Sequence, residues 1–234
     1  MAQSLIRKQH PIVTLAKETA KYLNNASSEV NSSQSRRVQL AFAKEIEAVC
    51  QKGLPEQWPT ESEVRTLRFA PQLIGNQGPS ATTSLYQAAR TALGWVRWTE
   101  FYEEDHWSRS FLPNFANGEG IGPDGRLYNE EIILGLFIFG PDSHYPAHAH
   151  PAEEFYLILS GDAAWQIGAN TPYTAKSPGD IMIHQRNESH SFKTGDDPMF
   201  CVFGWRGEMG APSWYRDDMS DETEEKKFAA IKKS

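Results

Sequence analysis

The chain has 234 residues, 39% of them hydrophobic and 12% aromatic, with a formal net charge of −7. That composition excludes a wholly disordered chain and suits one domain with an extension, or two small units. The acidic balance disfavours a nucleic-acid partner, which needs clustered Lys and Arg. No run approaches the roughly 18 consecutive apolar residues of a membrane span. The opening MAQSLIRKQHP lacks the apolar segment of a secretory signal, so a soluble cytoplasmic protein is expected. Cys50 and Cys201 lie far apart without CxxC spacing and read as buried small hydrophobes, not as a disulfide or thiolate site.

The first part of the chain, residues 1–97, reads as helical. Pro11 opens a helix with Ile12, Leu15, Ala16, Thr19 and Leu23 on one stripe, which the Ser/Asn-rich stretch from Asn24 to Ser35 breaks. A second helix carries Val38, Phe42, Ile46 and Val49 and stops at Gly53. Leu54 to Ser80 holds four prolines and reads as a loop-rich connection with a short helix near Glu61 to Arg68. Ser84 is the expected cap of a third helix with Leu85, Ala88, Ala89, Ala92, Leu93 and Val96 on its apolar face. These helices are expected to cover a sheet.

From Trp98 the pattern changes to short β-type runs punctuated by turn-rich stretches such as PNFANGEGIGPDG and TGDDP, the signature of an all-β barrel or sandwich over residues 98–215. Strands are expected at Glu131 to Phe139, Phe155 to Leu159, Ala163 to Ile167, Ile181 to His184 and Met199 to Trp205, with a hairpin turn at Ser160-Gly161-Asp162. The charge-rich tail, residues 216–234, reads as a solvated helix or a frayed end.

Four of the seven histidines, His144, His148, His150 and His190, fall near strand ends. Positions two apart on a strand project to the same face, so His148 and His150 can converge on one ion, and Glu154 and Tyr156 share a second two-residue spacing. A chain that turns over at Pro151 brings Glu154 back toward the histidines, and His190 closes the set from a neighbouring strand. Three imidazoles and one carboxylate suit a single divalent Zn, Fe, Mn, Co or Ni ion, with positions left for substrate.

HAHPAEEFYLILSG resembles the first motif of the cupin superfamily, with its HxHxxxE core and Gly161 seven residues after Glu154. SPGDIMIHQRNESHSF resembles the second motif, in which His190 follows Gly179 by eleven residues. One departure is Asp142, which stands where the family has a glycine six residues before the first histidine. The implied fold is mainly β with an α extension: a cupin-type β-barrel, or double-stranded β-helix, preceded by N-terminal helices. Within the cupins, YPAHAHPAEEFYLILSG is similar to the dimethylsulfoniopropionate (DMSP) lyases, most like the L-type. The specific resemblance covers roughly residues 126 to 206.

That resemblance implies β-elimination of DMSP, a sulfonium carboxylate, to dimethyl sulfide and acrylate. It implies His148, His150, Glu154 and His190 as metal ligands, Tyr156 as general base and Tyr145 as a second active-site tyrosine. Proton loss next to a carboxylate needs charge stabilisation that a bound cation supplies, and a phenol of reference pKa about 10 needs that cation nearby to act as base. Tyr145, Trp165 and Trp205 are candidates to hold the sulfonium by cation–π attraction, worth about 0.5 to 2 kcal/mol each. Against these stand plainer readings. Tyr156 could fill the barrel, Tyr145 could be a rim residue, and Trp165 and Trp205 could be core. His144 and His184 read as groups behind the ligands or on the surface, and Arg186 and Lys176 as solvated loop charges. Two other functions use the same ligands: an Fe(II) cupin dioxygenase, and a small-ligand-binding cupin without turnover. Cupins often pair, so a homodimer is one possible assembly, although the sequence does not give the oligomeric state.

Overall fold

His10 accepts a hydrogen bond at Nδ1 from the Ile12 amide (3.2 Å), and so starts helix α1 (Pro11–Asn25) with Pro11 in its first turn. The computed structural model describes residues 10–26, 32–58, 63–73, 82–100 and 102–215, with the backbone of a strand at Phe228–Ala230. The buried face of α1 is Ile12, Leu15, Ala16, Thr19 and Leu23, the stripe expected from its period, with Ala20 added to it. Helix α2 (Ser33–Lys52) starts on a Ser32 cap, inside the stretch expected to be linker, and ends at Gly53 with φ 74°. Val38, Phe42, Ile46 and Val49 are buried along it, and the Gln39 amide donates to the Leu23 carbonyl (2.6 Å), fastening α2 to α1.

The connection beyond holds a 3₁₀ turn (Arg65–Phe69) running into α3 (Ala70–Leu73), slightly later than expected; residues 59–62 lie outside the described set. Helix α4 (Thr83–Ala92) starts one residue before the expected cap, so Ser84 sits inside the helix, and Thr82 precedes it without a side-chain cap bond. Cys201 is buried and Cys50 is half-buried, since the side of α2 that carries it only borders the core.

Two antiparallel sheets follow. The first has the order β1 (Arg97–Thr99), β2 (Phe115–Gly122), β4 (Ile132–Phe139), β11 (Met199–Arg206), β6 (Glu153–Ser160) and β9 (Ile181–His184), with β3 (Leu127–Tyr128) parallel to β2. The second has the order β13 (Phe228–Ala230), β12 (Ser213–Tyr215), β5 (His144–Ala149), β10 (His190–Thr194), β7 (Ala163–Ile167) and β8 (Thr174–Lys176). The described part of the tail is thus a strand, not a helix. The expected turn at Gly161 is present with φ 76°.

PNFANGEGIGPDG, expected to be turn, instead supplies strand β2. Its glycines are there for space: a Cβ on Gly118 would lie 2.7 Å from Val96 Cγ2 and 2.8 Å from the Trp98 ring. Asp142, at the position of the missing family glycine, has φ 48°, so the left-handed turn is kept by a residue type that tolerates it.

Every residue of β4 is buried because its sheet is covered on both faces. Leu134, Leu136 and Ile138, with Phe155 and Leu157 of β6 and Val202 of β11, pack beneath the helices, where Phe42 meets Phe155 edge-on at 4.9 Å. Ile133, Phe137 and Phe139, with Tyr156, Ile158, Phe203 and Trp205, face the barrel interior. Arg206 on β11 joins the layers through Glu45 of α2 (2.8 Å) and Glu153 of β6 (2.7 Å). Tyr22 of α1 donates to the Gly179 carbonyl (2.8 Å), just before β9.

The His10 cap titrates. Burial, with Arg126 nearby, lowers its pKa, and Glu56 opposes them. A depressed pKa means that the unfolded chain takes the proton first. The stability that neutral His10 confers is therefore complete above the ordinary histidine value of about 6.5 and is lost as pH falls below it. His10→Asn keeps a capping acceptor without a titration, so urea midpoints of wild type and variant should match near pH 7.5 and diverge by pH 5, the wild type losing more. Parallel pH profiles would rule out His10 as the source.

Candidate metal centre

One level of the barrel carries two facing rows of side chains. On the first sheet Glu154 of β6 is paired in register with Trp205 of β11 on one side and His184 of β9 on the other. On the second sheet His148 of β5 is paired with Tyr215 of β12 and with His190 of β10. Directly paired residues share a face, so both rows look into the interior. His150 joins them from just past the end of β5. All four of His148, His150, Glu154 and His190 are at most 2% exposed.

Tyr145 reaches the same interior through a β-bulge. Between β5 and β10 the register runs from His148 opposite His190 to Tyr145 opposite Phe192, three steps on one strand against two on the other. The extra residue turns Tyr145 onto the histidine face, its ring 4.1 Å from that of His148. Tyr156 follows Glu154 by two on β6 and so shares its face, 5.8 Å ring to ring from His184.

Hydrogen bonding fixes what each imidazole offers. Nδ1 of His148, His150 and His190 lies 2.8, 2.9 and 2.9 Å from the carbonyls of Pro146, Ala152 and Glu188. A carbonyl only accepts, so each Nδ1 carries a proton, and in the neutral ring each Nε2 then presents a lone pair. His148, His150 and His190 each direct a ring nitrogen to a common point within 4.8 Å of one another. Nε2 of His150 and of His190 sit 3.2 and 3.1 Å from Glu154 Oε2, and His190 Nε2 is buried without a well-formed hydrogen bond among the described residues. With both rings neutral, these Nε2 lone pairs would face the carboxylate and repel it, and a cation among them would remove that repulsion. This buried His/Glu group is able to hold a metal ion.

The carboxylate is held from both sides: Trp205 Nε1 donates to Oε1, and His184 Nδ1 lies 2.8 Å from Oε2. Burial alone would raise the Glu154 carboxyl. His150 first, then His184 and His190, reverse the sign and hold it well below the usual carboxylate range. Burial lowers His148 well below its ordinary value and lowers His190 to about 4, with neighbouring imidazoles adding to both, so these rings are neutral and free to ligate near pH 7.

The tyrosines behave oppositely. Burial first, and then the Glu154 charge, push Tyr156 well above the ordinary phenol value. Burial also raises Tyr145, whose hydroxyl is hydrogen-bonded to that of Tyr102. Trp165 is stacked on Phe192 at 4.2 Å with its N–H on His184, and the Trp205 ring lies 4.3 Å from His150. His144 points outward, within 3.1 Å of Ser191 Oγ and 3.3 Å of the Tyr173 hydroxyl. Arg186 is paired on the surface with Glu208, and Lys176 lies on the edge strand β8.

Tyr102 and Tyr215, which sequence reasoning passed over, stand at the same site. Tyr215 is 4% exposed, its hydroxyl is without a hydrogen-bond partner among the described residues, and its ring stacks on Trp107 at 5.5 Å. Neither tyrosine lies in a motif, and only the pairing of β12 with β5 gives Tyr215 away.

The model of the DMSP lyase family matches residues 34–201. The chain is 29% identical over 154 residues to DMSP lyase DddQ of Ruegeria pomeroyi, covering 64% of this chain and 76% of that one. It is 28% identical over 136 residues to the putative DMSP lyase DddL of Cereibacter sphaeroides, 57% of this chain and 55% of that one, so both types are matched, the Q type over more of its length, and the expected leaning to the L-type is not specifically supported. The crystal structure of DddQ from R. pomeroyi superposes with a TM-score of 0.62 at 21% identity, over 81% of this chain and all of that one. A structure from a study of the DMSP lyases RdDddP and RnDddQII gives 0.64 at 21%, over 88% and 98%. These superpositions bear out the mainly β, cupin-type barrel with N-terminal helices. With the family model spanning residues 34–201, the chain belongs to the DMSP lyase family.

Proposed function

We propose that this protein is a metal-dependent carbon–sulfur lyase that cleaves DMSP to dimethyl sulfide and acrylate, with Tyr156 as general base. The observation that carries the reading is the buried convergence of three imidazole lone pairs and the Glu154 carboxylate, with Tyr156 on the same face of β6, in a chain of this family. His148, His150, Glu154 and His190 are the residues that would hold one divalent ion of the Zn, Fe, Mn, Co or Ni class. When bound, that ion supplies the positive charge that makes the carbon next to the substrate carboxylate more acidic and lowers nearby phenols.

The remaining work falls to the chain. Tyr156 Oη, as phenolate, takes the proton from that carbon. The electron pair of the broken C–H bond forms the double bond of acrylate, and the C–S pair leaves on sulfur as neutral dimethyl sulfide, which needs no acid. Burial and Glu154 keep Tyr156 protonated in the protein's own field, so its role as base depends on a loaded site. The aromatic wall of buried Tyr102, Tyr145 and Tyr215, with half-buried Trp107 against it, limits water and offers ring faces to a sulfonium. The tyrosine hydroxyls are donors for the substrate carboxylate, Tyr215 above all because its own is unengaged among the described residues. Trp165 and Trp205 contribute through their N–H groups, on His184 and on Glu154.

Headspace dimethyl sulfide is the direct assay. Purified protein reconstituted with each of the five metals should release it with equimolar acrylate, and a chelated sample should not. Silence with all five, or oxygen uptake with the Fe(II) form on another substrate, would move the site to a binding or dioxygenase role. Tyr156→Phe should retain metal and lose turnover by at least 100-fold, the contribution expected of a general base. His150→Ala should lose both. Near-normal activity in Tyr156→Phe would reassign the base. Metal should also stabilise the fold, by about 2.7 kcal/mol at a free concentration 100 times Kd, read as a shift in the urea midpoint that a chelator reverses.

A further inference from the structure

The barrel holds a second overlapping cluster: one ligand atom each from Glu154, His184 and His190 also lie within 4.8 Å of one another. On distance alone His184 is as good a ligand as His148. Its hydrogen bonds decide otherwise. Trp165 Nε1 lies 3.0 Å from His184 Nε2, and an indole N–H can only donate. His184 Nε2 must therefore carry a lone pair, which excludes both the Nε2–H tautomer and the imidazolium. The single ring proton is on Nδ1, pointed at Glu154 Oε2 2.8 Å away. With one nitrogen accepting from Trp165 and the other donating to Glu154, no lone pair remains for a cation.

We infer that Trp165 and His184 form a positioning pair that locks the Glu154 carboxylate toward an ion held by His148, His150 and His190, without either touching the ion. This rests on the metal reading proposed above, and not on the identity of the substrate. The His184 ring also stacks flat on that of His190, at 3.7 Å and 15°, so the pair steadies two of the four ligands. Trp205 holds the other carboxylate oxygen. Glu154 is left with one donor on each oxygen and one direction in which to bind.

The test uses the full-length protein loaded with cobalt(II), with the dissociation constant read by chelator competition and the ligands counted by X-ray absorption. Wild type should show three imidazoles. His184→Phe keeps a ring against His190 but removes the N–H, and should bind cobalt about 10 to 100 times more weakly with the imidazole count still three. His184→Asn, whose amide can donate in place of Nδ1, should recover much of that loss. Trp165→Phe should weaken binding on its own, yet add nothing in the His184→Phe background, since it acts only through His184.

Unchanged affinity in His184→Phe would overturn the inference. So would four imidazoles in wild type falling to three in His184→Phe, which would make His184 a ligand. If His184→Phe fails to fold, Trp165→Phe and His184→Asn decide the same question. None of these readouts uses DMSP, so absent dimethyl sulfide release would sink the lyase reading alone. A wild type that binds no cobalt would sink the metal reading and this inference together.

Discussion

Everything at the centre of this fold answers to one carboxylate taken out of water. Glu154 is 1% exposed, and an ionised group buried that deeply costs several kcal/mol unless charge and hydrogen bonds compensate it. The compensation is built into strand register. Trp205 and His184 are the direct cross-strand neighbours of Glu154, so pairing β11, β6 and β9 delivers an N–H to each carboxylate oxygen. The facing sheet delivers neutral imidazoles at the same level through the pairing of β5 with β10. The site is a property of the barrel's cross-section, not of one loop.

The helical extension has a structural part in this. The sheet that carries Glu154 has apolar residues on both faces, and the helices bury the outer set. Arg206 and Glu153 are paired on that outer face one residue from Trp205 and Glu154, and Arg206 reaches on to Glu45. The carboxylate row is therefore backed by α2. That stiffness suits a site whose donors must be held in place before anything binds.

Periodicity made the helices legible: the stripes of α1 and α2 emerge as the buried faces, because solvent on one side imposes a 3.6-residue repeat. The HxHxxxE spacing and His190 were legible because strand alternation brings positions two apart to one face. What stayed hidden depends on contacts between distant segments. β2 looked like turn because its glycines answer to the close approach of Val96 and Trp98, a reason written elsewhere in the chain. Tyr215 and the donors on Glu154 are neighbours only through pairing of strands far apart in sequence. Asp142 looked like a fault in the motif, yet the backbone there needs only a positive φ.

The bulge in β5 has a consequence for how this sequence can vary in length. Tyr145 and His148 share a face only because β5 spends one residue more than β10 between their partners. Removing a residue at Pro146 or Ala147 would restore regular pleating and send one of the two side chains to the outside, although every functional residue would still be present. The Gly168 to Pro172 connection, largely solvent-exposed, carries no such constraint. Among natural and designed variants of this barrel, the strand ahead of the histidines should be fixed in length where the connection after β7 is free to drift, so chain length in β5 is itself part of the site.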